Sequence, residues 1–68
     1  AMPEEELRGL VKRILIEKRG LVEEKGLRAL GPLMGAVMKI VRGRADPAKV
    51  RALIEEGIRE LLGEARPT

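Results

Sequence analysis

The sequence has no cysteine, histidine or aromatic residue, and its one side-chain hydroxyl belongs to Thr68. Disulfide bonds are therefore impossible, and catalysis by serine, cysteine or histidine is excluded, as is zinc bound through nitrogen or sulfur. Without aromatic rings the chain cannot stack on bases, which argues against sequence-specific binding of single strands. No run reaches the roughly 18 apolar residues of a membrane span, so we expect a soluble, cytoplasmic domain.

The 68 residues suffice for one small domain, and the 44% that are hydrophobic form an aliphatic core. Apolar residues recur three and four positions apart, and no segment alternates with the period of a strand. The pattern predicts an all-α fold, a compact bundle of three helices plus one short helix. The predicted helices cover residues 4–18, 21–25, 30–42 and 47–62.

Helix ends are indicated by glycine and proline. Gly20 follows the first predicted helix as a stop signal, and Gly43 can take the left-handed conformation that ends the third. Asp46 followed by Pro47 predicts the start of the last helix, because the carboxylate caps free backbone amides and proline suits the first helical position.

Charge is unevenly distributed along the chain, although the formal net charge is only +3. The stretch 25–51 has one acidic residue, Asp46, and 52–64 has one basic residue, Arg59, among its glutamates. The cations of the first stretch are Lys25, Arg28, Lys39, Arg42, Arg44, Lys49 and Arg51. The distribution predicts one cationic surface, suited to an acidic partner.

The third helix carries a second face besides its apolar stripe. At about 100° per residue this face groups Arg28, Gly31, Gly35, Lys39 and Arg42. A mid-helix glycine costs about 1 kcal/mol relative to alanine, so Gly35 indicates that something comes close to the backbone. That neighbour is either another helix of the bundle or a polyanion such as a nucleic-acid backbone, held by Lys39 and Arg42.

Arg44 and Lys49 flank the predicted start of the last helix, whose amides and dipole favour an anion. Either residue can equally be part of a solvated loop. The carboxylates do not have the clustering of a metal site, and we expect neither a metal nor another cofactor.

The run Gly31-Pro32-Leu33-Met34-Gly35-Ala36-Val37-Met38-Lys39, followed by Arg42-Gly43-Arg44-Ala45-Asp46-Pro47, resembles the GatB/YqeY tail domain. This domain is the C-terminal helical module of tRNA-dependent amidotransferases. The Gly-Pro-Leu-Met-Gly form and the preceding stretch 21–26 are more similar to the archaeal E subunit than to the bacterial B subunit. The resemblance covers nearly the whole chain.

The resemblance implies that the parent enzyme is a carbon–nitrogen ligase that converts Glu-tRNA(Gln) to Gln-tRNA(Gln) with ATP and ammonia. It implies a catalytic domain outside this chain, an amidase or asparaginase-like partner subunit, and no membrane. The tail would be noncatalytic and would bind the outer corner of tRNA(Gln) near the D-loop, helping to select it. Lys39, Arg42 and Arg44 match the basic part of the family motif, and Gly31, Gly35 and Gly43 match its small positions.

We therefore expect a tRNA-binding domain in which Lys39, Arg42 and Arg44 contact phosphate and Arg28 and Lys49 are secondary contacts. Two alternatives remain at this stage. One is a protein-interaction module that docks through Gly31 and Gly35, and the other is a small helical domain that binds duplex DNA. We interpret Ala1 and Met2 as a cleavage remnant of an excised piece, with Met2 as a natural start as the alternative.

Overall fold

The computed structural model describes residues 2–63, and all regular structure in that range is helical. Helix α1 covers Glu4–Glu17, α2 covers Arg19–Lys25, a 3₁₀ segment covers Gly26–Ala29, α3 covers Leu30–Val41 and α4 covers Pro47–Gly63. The prediction of an all-α bundle is confirmed. Ala1 and residues 64–68 lie outside the described range.

The boundary between α1 and α2 lies at Lys18 rather than at Gly20. Lys18 leaves helical geometry, with φ −108° and ψ 30°, while its amide still donates to the carbonyl of Ile14 at 2.9 Å. The predicted stop at Gly20 is wrong, because the chain turns two residues earlier and Gly20 continues into α2. The turn lets α2 bury Val22 completely.

Helix α3 follows the 3₁₀ segment directly and has Pro32 in its first turn, where its missing amide proton leaves no bond unmade. It ends at Val41, and Arg42 is the first residue with left-handed geometry, at φ 47° and ψ 53°. Gly43 also has a positive φ, of 83°. Two consecutive left-handed residues thus end α3 and turn the chain towards α4.

Asp46 caps α4 as the sequence predicts. Its Oδ1 accepts a hydrogen bond from the amide of Ala48 at 3.0 Å, and its carbonyl accepts one from Val50 at 3.0 Å. Met2 contacts the same loop, because its amide donates to the carbonyl of Arg44 at 3.0 Å.

The core is aliphatic, and each helix contributes to it. Its fully buried members include Val22 of α2, Leu33 and Val37 of α3, and Ile54 and Ile58 of α4. Helix α4 packs against both α1 and α3, so it is central to the bundle. Within the described residues no helix is long and apolar enough to cross a membrane.

Candidate nucleic-acid interface

The glycine face of α3 is open to solvent. Gly31 and Gly35 are exposed, and a Cβ atom built at either position would meet no atom of the chain within 4 Å, apart from its own immediate helix surroundings. No neighbouring helix of the described bundle therefore requires these two glycines. Of the two explanations that the sequence leaves for Gly35, packing within this domain is not observed, and room for an external molecule remains.

Three cations lie at the C-terminal end of this face. Lys39 is in the last turn of α3, and Arg42 and Arg44 are in the loop that follows; all three are exposed. Within residues 2–63, none of the three has a carboxylate oxygen within 4.0 Å of its side-chain nitrogen. Their charges are thus available to an external anion.

The two arginines are positioned by the end of the helix. Arg42 Nε donates to the carbonyl of Lys39 at 3.2 Å, and Arg44 Nε donates to the carbonyl of Val41 at 3.3 Å. Arg44 Nη2 also reaches the carbonyl of Ile40 at 3.4 Å. The bonds to Lys39 and Ile40 satisfy carbonyls that a helix end leaves without backbone partners, whereas the Val41 carbonyl also accepts from the Arg44 amide at 2.9 Å. Cations here are favourable to the helix dipole. Since a guanidinium has five N–H donors, each arginine keeps donors for a ligand.

Arg28 lies at the opposite end of the glycine face. It is exposed on the 3₁₀ segment, one turn before Gly31. At a rise of about 1.5 Å per residue, with slightly more in the 3₁₀ segment, Arg28 and Arg42 are about 20 Å apart along the axis. Cations therefore lie at both ends of an open stretch of backbone, although the 3₁₀ geometry removes Arg28 from the α-helical register.

Lys49 is engaged differently from the other predicted site residues. Its Nζ forms an ion pair with Glu4 Oε1 at 2.8 Å. This contact, followed by the hydrogen bond from Arg8, holds the pKa of Glu4 below its ordinary value of 4.5. The N-terminus of α4 is also occupied, since the Asp46 carboxylate already accepts from a free amide there. The cationic site is thus concentrated at the end of α3.

Ile40 is an exposed apolar residue of α3 that the sequence reasoning did not single out. Its side chain is 47% exposed, although Leu33 and Val37, which precede it on the same side of the helix, are fully buried. Apolar spacing alone does not reveal this exposure, because Ile40 follows Leu33 and Val37 at the three-four spacing. At about 100° per residue it lies about 140° around the helix from Gly35, away from the glycine face. Among the described residues no cluster of acidic side chains could hold a metal ion.

Comparison with known families places these features in context. The family described as the GatB domain (GatB/YqeY) matches residues 1–58. Similar proteins include the E subunit of the glutamyl-tRNA(Gln) amidotransferase of Methanospirillum hungatei, 42% identical over 91% of this chain and 10% of that protein. The E subunit of the Methanosarcina acetivorans enzyme is 36% identical over 94% of this chain and 10% of that protein.

The corresponding protein of Methanopyrus kandleri is 46% identical over 63% of this chain and 7% of that protein. The chain thus spans about a tenth or less of the length of these relatives. No solved structure matches it. The matched range includes the glycine face, Lys39, Arg42 and Arg44, and the resemblance that the run Gly31–Lys39 predicts is confirmed. The chain belongs to the GatB/YqeY family.

Proposed function

We propose that this chain is a noncatalytic tRNA-binding domain of a Glu-tRNA(Gln) amidotransferase, and that it helps to select tRNA(Gln). The observation that carries the proposal is the trio Lys39, Arg42 and Arg44, which has no carboxylate partner within residues 2–63 and lies at the end of an exposed glycine face. The relatives that share the domain are named as subunits of this amidotransferase. Such an enzyme acts in protein synthesis, and its proposed location is the cytoplasm.

Binding would depend on the tRNA backbone rather than on base identity. Lys39 supplies a point charge, and Arg42 and Arg44 offer guanidinium donors that suit phosphate oxygens. The absence of Cβ atoms at Gly31 and Gly35 lets a ribose or phosphate approach the α3 backbone. The proposed target is the outer corner of the tRNA near the D-loop, where folding presents backbone and shape to a protein that has no aromatic rings.

The chemistry of the enzyme would be performed elsewhere. A chain without histidine, cysteine or a metal-ligand cluster in its described part has few groups for acyl or phosphoryl transfer. The proposed partners are the catalytic domain of the amidotransferase and its amidase or asparaginase-like subunit. The domain described above would hold the tRNA body while its acceptor end reaches that catalytic domain.

The decisive experiment compares tRNA(Gln) binding by the unaltered chain with binding by the triple variant Lys39→Ala, Arg42→Ala, Arg44→Ala. The matched control is Lys18→Ala, Arg19→Ala, Arg59→Ala, which removes the same formal charge from exposed positions away from the glycine face. We expect the first variant to lose at least about tenfold in affinity, since every phosphate contact contributes through counterion release. The control should lose much less.

Salt dependence provides a second measurement on the unaltered chain. Four phosphate contacts, from Arg28, Lys39, Arg42 and Arg44, predict that log affinity falls against log salt with a slope of about 3 to 4. The triple variant should show a slope of about 1. Because Arg42 and Arg44 also donate to helix carbonyls, circular dichroism must show that the triple alanine variant is folded. A variant that keeps both charges, Arg42→Lys with Arg44→Lys, should retain most of the salt slope.

Equal tRNA binding by the two triple variants would contradict the proposed site. Equal affinity of the unaltered chain for tRNA(Gln) and for random duplex DNA would instead favour the DNA-binding alternative. A protein-interaction module would predict that Gly35→Leu abolishes binding of a protein partner while Lys39→Ala has little effect.

A further inference from the structure

The first turn of α1 lies against the loop that carries the cationic site. The amide of Met2 donates to the carbonyl of Arg44 at 3.0 Å, and Glu4 begins α1 shortly after Met2 in the chain. Lys49 is in the first turn of α4, directly after the same loop. Glu4 and Lys49 are therefore neighbours of each other and of the loop that contains Arg42 and Arg44.

Lys49 is an exposed cation whose charge is neutralised by a carboxylate. Its Nζ lies 2.8 Å from Glu4 Oε1, whereas Glu4 Oε2 accepts a hydrogen bond from Arg8 Nε at 3.2 Å. The contact with Arg8 holds the carboxylate from its other side. A phosphate that reaches Lys49 Nζ therefore also lies beside a second negative charge, and the two repel each other.

We propose that Glu4 restrains RNA binding by withholding Lys49 from the phosphate-binding site at the end of α3. This inference rests on the proposed function and adds a residue that limits its affinity. Without the carboxylate, Lys49 is an unpaired cation close to Arg44 and becomes a further phosphate contact. Because such a contact carries no information about base sequence, its suppression lowers the affinity for polyanions in general.

Glu4 differs in its pairing from the two glutamates that follow it. Glu5 and Glu6 are exposed, and neither forms an ion pair within residues 2–63. Their charges act on a bound RNA only at long range, and salt at physiological strength screens them over about 8 Å. A comparison of Glu4 with Glu5 therefore separates the loss of an ion pair from the loss of a charge.

The test measures the affinity for tRNA(Gln) against salt concentration for Glu4→Gln, in the unaltered chain and in a Lys49→Ala background. In the unaltered chain we expect Glu4→Gln to bind about three- to tenfold more tightly at about 0.1 M salt, because it gains one phosphate contact. The slope of log affinity against log salt should become steeper by about 1. In the Lys49→Ala background the same change should have less than about a twofold effect, because no cation is released.

Glu5→Gln is the matched control, since it removes the same charge from the neighbouring position. It should raise the affinity less than about twofold and leave the slope unchanged. Circular dichroism of every variant must match that of the unaltered chain, because Glu4 also favours the N-terminus of α1.

A Glu4→Gln variant that binds no more tightly than Glu5→Gln would overturn the proposal. A gain of equal size in the Lys49→Ala background would also overturn it, because Glu4 would then act on the RNA without Lys49. If binding depends on Lys39, Arg42 and Arg44 but not on Glu4, the proposed function stands and this inference alone is wrong. Failure of both the unaltered chain and Glu4→Gln to bind tRNA(Gln) contradicts both.

Discussion

Two mid-helix glycines of this protein have opposite structural reasons. Gly35 of α3 faces open space, whereas Gly57 of α4 lies directly under the side chain of Leu15. A Cβ at Gly57 would overlap Leu15 Cδ1, and Leu15 is only 5% exposed, so it has little room to move. Gly57 therefore allows α1 and α4 to pack closely. No contact within the described domain requires a glycine at position 35.

We predict that Gly35→Ala stabilises the fold by about 1 kcal/mol, because alanine has the better helix propensity and the new methyl group meets no neighbour. Gly57→Ala should destabilise it by about 1 kcal/mol, since overpacking exceeds the same propensity gain. Urea denaturation, monitored by circular dichroism, measures both changes in the free energy of unfolding. If Gly35 admits the tRNA backbone, its alanine variant will be more stable and yet bind tRNA more weakly. Stabilisation of equal size at both positions would contradict this assignment.

At the scale of single elements, the end of α3 determines the shape of the cationic site. Arg42 adopts left-handed geometry although it has a Cβ, and Gly43 follows with φ 83°. The turn brings Arg42 and Arg44 back to the helix carbonyls, to which their guanidinium groups donate. Cations in this turn thus both complete the helix end and face solvent.

We predict that Gly43→Ala destabilises the domain by about 1 to 2 kcal/mol through backbone strain alone. No atom lies within 4 Å of the position where the new Cβ would be, so steric overlap is not the cause. Thermal unfolding measures the loss of stability. The control is Gly31→Ala, because Gly31 is an exposed residue of α3 that does not have a positive φ. A Gly43→Ala variant as stable as the unaltered chain would show that the turn readily relaxes.

The hydrophobic core limits stability at the scale of the whole molecule. A domain of this length buries only about 60% of the surface of its unfolded chain, so its stability is a few kcal/mol. Leu33 and Ile54 are among the largest side chains with no solvent exposure, one on α3 and the other on α4. The loss of either leaves a cavity in the middle of the bundle.

We predict that Leu33→Ala and Ile54→Ala each cost about 2 to 5 kcal/mol, enough to unfold much of the isolated domain at room temperature. Far-ultraviolet circular dichroism and the urea midpoint are the measurements. Leu62→Ala, at a position that is 38% exposed on α4, should change stability far less. Cooperative unfolding of Leu33→Ala at an unchanged midpoint would mean that α3 is not held by this core.

The sequence by itself determined the all-α class, the apolar stripes and the capped start of α4, because these depend on spacing and on contacts between near neighbours such as Asp46 and Ala48. It also determined the membership in the GatB/YqeY family, through the run Gly31–Lys39. The positions of the cations along the chain were likewise evident before their surroundings were known.

Tertiary structure decided where the first helix ends and which of the cations are paired with a carboxylate. The turn at Lys18, rather than Gly20, accompanies the burial of Val22, a long-range demand that local stop signals do not contain. Lys49 is paired with Glu4, which is far away in sequence, whereas Lys39 has no carboxylate partner in residues 2–63. Such pairings arise only when helices pack, because packing brings together residues that helical periodicity alone cannot relate.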